Sequence, residues 1–239
     1  MILDRTIMTT LIFSPGLLLT EKLYAGLEHH LDGRYPIHHT DTTGADTITA
    51  MAERALDQTT GLIIPVGLSM GGYITLEIAR LAPERLRALV IMDSNAIADT
   101  QERREERRKL IEMSKIGRFK GVTSALMPKF IARHNLGDER ITGAVTEMAQ
   151  EIGRDNFILQ QNAIMSRRDQ FDTLSGLDRP GLFIVGSEDT LTPPEQVRAM
   201  ADAMPDSTFV EIRNSGHLPP LEDPLSVNRA VENFLSGLE

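Results

Sequence analysis

Cysteine is absent from the 239 residues, and so is tryptophan. Without cysteine there can be no disulfide, no thiol nucleophile and no cysteine-ligated metal. Positive charge is scarce: 25 Lys and Arg stand against 34 Asp and Glu, a net charge of −9. That balance disfavours non-specific binding to nucleic acid or to an anionic lipid surface. No apolar run approaches the roughly 18 residues needed to cross a bilayer. Met1 to Thr10 include Asp4 and Arg5 and only a short apolar stretch, so no signal peptide is expected there. Internal repeats and low-complexity segments are also missing. What is present is ordinary globular composition, 41% hydrophobic and 25% charged. The length suits one well-buried core with an inserted subdomain, in a cytoplasmic setting.

The most informative stretch is Leu62-Ile63-Ile64-Pro65-Val66-Gly67-Leu68-Ser69-Met70-Gly71-Gly72, with Tyr73 to Leu81 behind it. An apolar run ends at a glycine, a serine follows in Gly-x-Ser-x-Gly, and a helical period begins at once. This is strand, sharp turn and helix with a hydroxyl at the apex. Small residues at Gly67 and Gly71 let the backbones pass closely, and the strained turn lifts the Ser69 oxygen clear of the sheet.

The rest of the first half alternates in the same way. Thr10 to Phe13 reads as a strand and runs into the loop Ser14-Pro15-Gly16-Leu17. Glu21 to Leu31 has helical spacing and closes at Asp32-Gly33. Arg34 to His39 is a strand, Asp46 to Leu56 a helix, and Leu86 to Met92 a strand that ends at Asp93. Strands alternating with helices imply a parallel sheet covered on both faces. Pro65 sits badly in a central strand, since it removes a ladder donor. A bulge there, or a looser first half of the strand, is expected.

From Ser94 to about Phe171 no strand is evident. Helices are expected over Gln101–Ser114, Arg118–Met127, Asp138–Ile152 and Asp155–Met165, broken by Gly117, Pro128, Gly137 and Gly153. The sheet pattern then resumes. Gly181 to Val185 is a strand that leads into Gly186-Ser187-Glu188-Asp189, and Pro193 to Met204 is a helix. Thr208 to Ile212 is the last strand, followed by Asn214-Ser215-Gly216-His217, and Leu225 to Leu235 closes the chain as a helix.

A serine hydroxyl needs a base within hydrogen-bond reach, and the base needs an orienting acid. In a parallel α/β sheet the active groups gather at the carboxyl ends of the strands. Ser69, Asp189 and His217 each lie just past such an end, in the chain order Ser, Asp, His of the serine-elbow hydrolases. Asp93 also ends a strand and is a second candidate acid. Asp189 is preferred because Gly186-x-x-Asp189 with Pro193 resembles the acid-bearing motif of those hydrolases.

These segments together resemble the α/β-hydrolase superfamily, in the form that carries a helical cap. The likeness rests on Ser14-Pro15-Gly16-Leu17, Gly67-Leu68-Ser69-Met70-Gly71-Gly72, Gly186-Ser187-Glu188-Asp189 with Pro193, and Gly216-His217 with Glu222 and Pro224. It spans nearly the whole chain. It implies an α/β-hydrolase fold, a mostly parallel sheet flanked by helices. The core would comprise residues 1–93 and 173–239, with an all-helical cap over 94–172. The family usually opens with two extra strands, one of them antiparallel. Only Met1 to Met8 precede the first strand here, so the sheet is expected to be trimmed at one edge.

The resemblance also implies roles. Ser69 would attack an acyl carbon, His217 would carry the proton, and Asp189 would fix the imidazole. The N–H of Met70, at the helix start, would be one oxyanion donor. Pro15 has no N–H, so the second falls to Gly16 or Leu17, and the family pattern points to Leu17. The expected activity is that of a cofactor-free, metal-free serine hydrolase, carboxylesterase-like, on small carboxylic esters or related acyl compounds. No nucleic-acid or membrane partner is expected, and a homodimer is admissible.

Other readings carry their own marks. A lactonase or carbon–carbon-bond hydrolase acting on a carboxylate-bearing substrate would aim an arginine into the pocket; Arg118, Arg154, Arg167 and Arg168 are the candidates. A perhydrolase would show peroxide-dependent oxidation. A binding protein would keep the triad with slow or no turnover. A haloalkane dehalogenase would want aspartate at position 69. The pairs His29-His30 and His38-His39 point in divergent directions and cannot close on a metal alone. The run Gln101 to Lys109 mixes both signs of charge and reads as a solvated helix face.

Overall fold

A computed structural model describes residues 9–238. Residues 1–8, on which the trimmed-edge and signal-peptide expectations rest, lie outside the described residues. The first half alternates as β1 (Thr10–Ser14), α1 (Ala25–Leu31), β2 (Ile37–His39), α2 (Ile48–Asp57), β3 (Ile63–Leu68), α3 (Met70–Leu81) and β4 (Leu89–Met92). The helices α4 (Gln101–Ser114) and α5 (Glu139–Ser166) follow with no strand between them. Then come α6 (Phe171–Gly176), β5 (Gly181–Gly186), α7 (Pro194–Ala203), β6 (Ser207–Ile212), α8 (Pro219–Glu222) and α9 (Pro224–Ser236).

The six strands of the described residues pair in parallel in one sheet, in the order β2-β1-β3-β4-β5-β6. The order reverses at β1, so the crevice between the carboxyl ends of β1 and β3 is a topological switch point. Ser69 lies at that crevice, directly after β3.

The strands read as near-continuous apolar runs because both faces are buried. Period two sorts them. Leu11, Phe13, Ile64, Val66, Leu68, Val90, Met92, Leu182 and Ile184 cluster on one face with side chains of α1 and α9. Ile12 and Ile63 face the other way, against α2 and α3. Leu89, Ile91, Phe183 and Val185 share that second face with side chains of α3, α6 and α7.

Pro65 pairs with Ile12 of β1 in unbroken register. On the other side the carbonyl of Ile63 accepts the Arg87 N–H at 2.9 Å, and regular pairing with β4 begins only at Val66. Alternate residues of a parallel strand face the same neighbour, so Pro65, like Ile63, faces β4. Its missing donor falls one residue ahead of that ladder. The strand is looser on its β4 side, and its pairing with β1 is regular throughout.

Two helical expectations need correction. Glu21–Leu31 is not one helix but a 3-10 turn over Glu21–Tyr24 followed by α1. Arg118–Met127 forms no α-helix; a single 3-10 turn lies at Met127–Lys129. Gly121 (φ 62°) has positive φ within that span and interrupts helical backbone there, and Gly117 (φ 65°) separates the span from α4. Gly121 is also pressed on α5, where a Cβ would meet that of Ala149 at 2.7 Å. The expected break at Gly153 is a kink inside α5, with φ 72° and ψ 177°.

Candidate active site

Ser69 has φ 56° and ψ −114°, a conformation costing roughly 1–3 kcal/mol that only the surrounding packing can sustain. Three hydrogen bonds hold it: its N–H donates to Met92 O at 3.0 Å, and its carbonyl accepts from Gly72 N at 2.9 Å and Ser94 Oγ at 2.8 Å. The glycines around it are obligatory for contact. A Cβ at Gly67 would stand 2.0 Å from Gly71 O, and one at Gly71 would stand 1.8 Å from Ser14 O. The serine turn and the loop after β1 therefore touch through bare backbone.

Asp189 follows β5 and is 3% exposed. Its Oδ1 accepts the N–H groups of Leu191 at 2.8 Å and Thr192 at 3.2 Å, and its Oδ2 accepts the Thr192 hydroxyl at 2.6 Å. The same Oδ2 pairs with Nδ1 of His217 at 2.8 Å. Burial pushes the Asp189 carboxyl upward. The charge and hydrogen bond of His217, with the Thr192 and Leu191 donors, outweigh it and hold the group below the ordinary carboxylate range.

His217 sits on the loop between β6 and α8. Glu222 of α8 ties that loop down: its Oε1 accepts Gly216 N at 2.9 Å and Leu218 N at 3.2 Å. Its Oε2 accepts Ala132 N at 2.7 Å and Asn135 Nδ2 at 2.9 Å, from the segment between α4 and α5. The His217 N–H donates to Phe130 O of the same segment at 2.9 Å. The Asp189 and His217 loops abut as closely as backbones allow, since a Cβ at Gly186 would lie 1.9 Å from Gly216 O.

Ser69 and His217 line one cavity of about 690 Å³, together with Leu17, Tyr73, Thr192 and Phe157. Asp189 stands behind His217. The Ser69 hydroxyl makes no hydrogen bond among the described residues; such contacts often tighten only with substrate bound. Leu17 lies on the cavity wall, and Met70 is fully buried at the first position of α3. Neither of their N–H groups has an acceptor among the described residues. Two free donors thus flank the turn that carries Ser69.

Asp93 is fully buried beside Asp189 and does not pair with the imidazole. Its Oδ1 accepts Gly186 N at 2.8 Å, and its Oδ2 has no partner. Burial, then the charge of Asp189, push its carboxyl well above the ordinary range. Asp93, Asp189 and His217 do offer ligand atoms within 4.8 Å of one another. A cation there would have to break the Asp189–His217 pair. Among the remaining histidines, His30 bonds Glu232 and His39 bonds Glu28, away from the cavity.

The charged run on α4 is only partly a solvated face, because Arg103, Glu106 and Arg107 line the cavity. Of the arginine candidates, Arg118 is exposed at the cavity, Arg154 bonds the Gly117 carbonyl, and Arg168 approaches Glu77 at 4.0 Å. Arg167 lies inside the cavity wall, with Arg107, which sequence reading had not singled out. Thr192 was also missed; no pattern in the sequence marks a hydroxyl three residues past an aspartate as its partner.

The family model for the alpha/beta hydrolase family matches residues 11–230. The chain belongs to that family. Among its relatives is RutD of Pseudomonas syringae pv. syringae (strain B728a), a protein provisionally named a carbamate hydrolase, with 28% identity over 178 residues. That match covers 72% of this chain and 66% of RutD, just under two thirds of its length. The pimeloyl-[acyl-carrier protein] methyl ester esterase of Nitrosomonas europaea is 24% identical, over 90% of each chain. A thermophilic esterase from Thermogutta terrifontis, solved with malate bound, superposes with a TM-score of 0.87 at 26% identity, over 96% of this chain and 90% of that one.

Proposed function

We propose that the chain is a cofactor-free serine hydrolase that cleaves small carboxylic esters or related acyl compounds through an acyl-enzyme. The observation that carries this reading is the 2.8 Å pair between His217 Nδ1 and Asp189 Oδ2, set behind a cavity whose wall holds Ser69. With Nδ1 bonded to the carboxylate, Nε2 is the ring nitrogen left to take the Ser69 proton and pass it to the leaving group. A water activated by the same nitrogen then clears the acyl-enzyme. Leu17 and Met70 N–H groups serve the oxyanion, and losing one such donor costs about 3 kcal/mol of barrier. The esterase names among the relatives support the ester assignment. In the same reading residues 94–172 act as a helical cap on a core of residues 1–93 and 173–239, and the protein works in the cytoplasm on small molecules.

The test is a short-chain p-nitrophenyl ester series with native protein and Ser69→Ala, joined to fluorophosphonate labelling and mass mapping. Native protein should turn over at least one ester and carry the adduct on the Ser69 peptide. Ser69→Ala should lose at least roughly 1,000-fold in kcat. Equal rates in both proteins would end the hydrolase reading, and a silent Ser69 with no adduct would favour a binding protein instead.

A further inference from the structure

We propose that the cavity contains a carboxylate subsite, formed by Arg107 and Arg167 around Asp99, which binds a second, remote anionic group of the acyl substrate. Its use in catalysis rests on the serine-hydrolase reading; its existence as a binding site does not.

Asp99, 7% exposed, lies in the segment between β4 and α4. Arg107 Nε meets its Oδ2 at 2.6 Å, and Arg167 Nη1 meets its Oδ1 at 2.8 Å. One carboxylate is thus shared by two guanidinium groups, which leaves the cluster with a net positive charge. The side chain of Arg167 is only 7% exposed and that of Arg107 19%. An uncompensated charge so poorly solvated is costly unless an anion completes it.

Both guanidinium groups are pre-oriented. Arg167 lies over the Tyr73 ring at 4.2 Å, and donates from Nε to Ile97 O at 2.9 Å and from Nη1 to Ile164 O at 3.1 Å. Arg107 Nη1 donates to Gln161 Oε1 at 2.9 Å. The Nη2 group of each enters no hydrogen bond among the described residues. Neither atom is among those sealed away without a partner, so both stay open. Held forks with free donors are the geometry that takes a carboxylate. Tyr73, in the first turn of α3 just past Ser69, lines the same cavity as Ser69, Arg107 and Arg167, so the subsite and the hydroxyl open onto one space.

The electrostatics of the whole cavity agree. Six Lys and Arg side chains line it against two acids, Asp99 and Glu106, in a chain of net charge −9. A concave surface with charge opposite to the rest of the molecule focuses anions. Glu106 is exposed on α4 and makes no ion pair among the described residues, so it leaves the Asp99 cluster uncompensated.

The experiment compares kcat/KM for monophenyl adipate and monophenyl suberate with phenyl hexanoate and phenyl octanoate, at low salt. In native protein at least one carboxylate-bearing ester should exceed its neutral match by roughly 10-fold to 100-fold, mainly through KM. Arg107→Gln and Arg167→Gln should collapse that ratio towards one, and Arg107→Lys should retain part of it. A ratio of one in native protein, or a ratio that survives both glutamine variants, overturns the subsite. If the variants misfold, adipate is tested as a competitive inhibitor of phenyl hexanoate turnover by native protein; inhibition supports the subsite and its absence at tens of millimolar overturns it. If no ester is turned over and Ser69 takes no fluorophosphonate, the hydrolase reading fails on its own. Calorimetric titration of native protein and Arg107→Gln with adipate then decides: binding lost in the variant upholds the subsite, and no binding to native protein refutes it.

Discussion

Asp93 and Asp189 end adjacent strands, and two carboxylates side by side in a dry interior cannot both be charged. The environment has already chosen between them. Asp189 is surrounded by donors and an imidazole, whereas Asp93 receives one backbone N–H and leaves an oxygen bare. Asp93 therefore holds its proton to a higher pH than an ordinary carboxyl does, next to Asp189, whose carboxyl is held below that range. The consequence for stability follows from linkage. Above pH about 4 the unfolded chain has released the Asp93 proton while the native state still binds it, so this residue makes stability fall as pH rises. Asp189 works the other way: its native carboxyl is depressed, and its contribution is lost as pH falls below the ordinary carboxylate range. Asp93→Asn keeps an acceptor for Gly186 N–H, offers an N–H towards Asp189 and does not titrate. The variant should gain urea stability relative to native protein progressively as pH rises above the ordinary carboxylate range, while still taking fluorophosphonate at Ser69. A stability difference that stays constant with pH would mean that Asp93 holds no proton.

Among the elements, the strand–turn–helix around Ser69 depends on backbones that touch. Gly71→Ala would drive a Cβ into the Ser14 carbonyl, at 1.8 Å, so the loop that carries Leu17 would have to move. A loss of more than about 3 kcal/mol in urea unfolding is expected, with Ser69 labelling impaired in whatever fraction folds. Gly143→Ala is the control: it lies inside α5 with nothing within 4 Å of the new methyl, and it should gain up to about 1 kcal/mol. A native-like midpoint for Gly71→Ala would refute the close approach. These strand-end segments were legible in the sequence because each pairs a buried apolar run with turn chemistry at its end. Ser69, Asp189 and His217 could each be placed past a strand end that way. Arg118–Met127 has apolar residues at helical spacing, yet the positive φ of Gly121 within that span forbids the helix. The Asp99–Arg107–Gln161 contacts were invisible for a different reason. They join residues up to 54 positions apart, and a mixed-charge run carries no local sign of which arginine turns inward.

Across the whole molecule, the inserted helices are not a separate body resting on the sheet. Val145, Met148, Ala149 and Phe157 of α5 belong to the same apolar cluster as Phe13, Val66 and Met92 of the sheet. Polar contacts reinforce the join: Gln160 accepts Leu18 N at 3.0 Å and donates to Thr42 Oγ1 at 3.1 Å, and Met148 Sδ receives Thr20 N–H at 3.4 Å. The loop that holds Leu17 is therefore clamped from α5 as well as from the serine turn. A cap with its own core would melt apart from the sheet, whereas one that shares a core should unfold with it. Calorimetry of native protein should show one transition. Met148→Ala empties a fully buried site at that join and should cost roughly 2–5 kcal/mol, which lowers the whole transition by roughly 4–20 °C for a chain of this size. Two resolved transitions in native protein, or a variant in which only a minor early transition moves, would show that the helices and the sheet hold together independently.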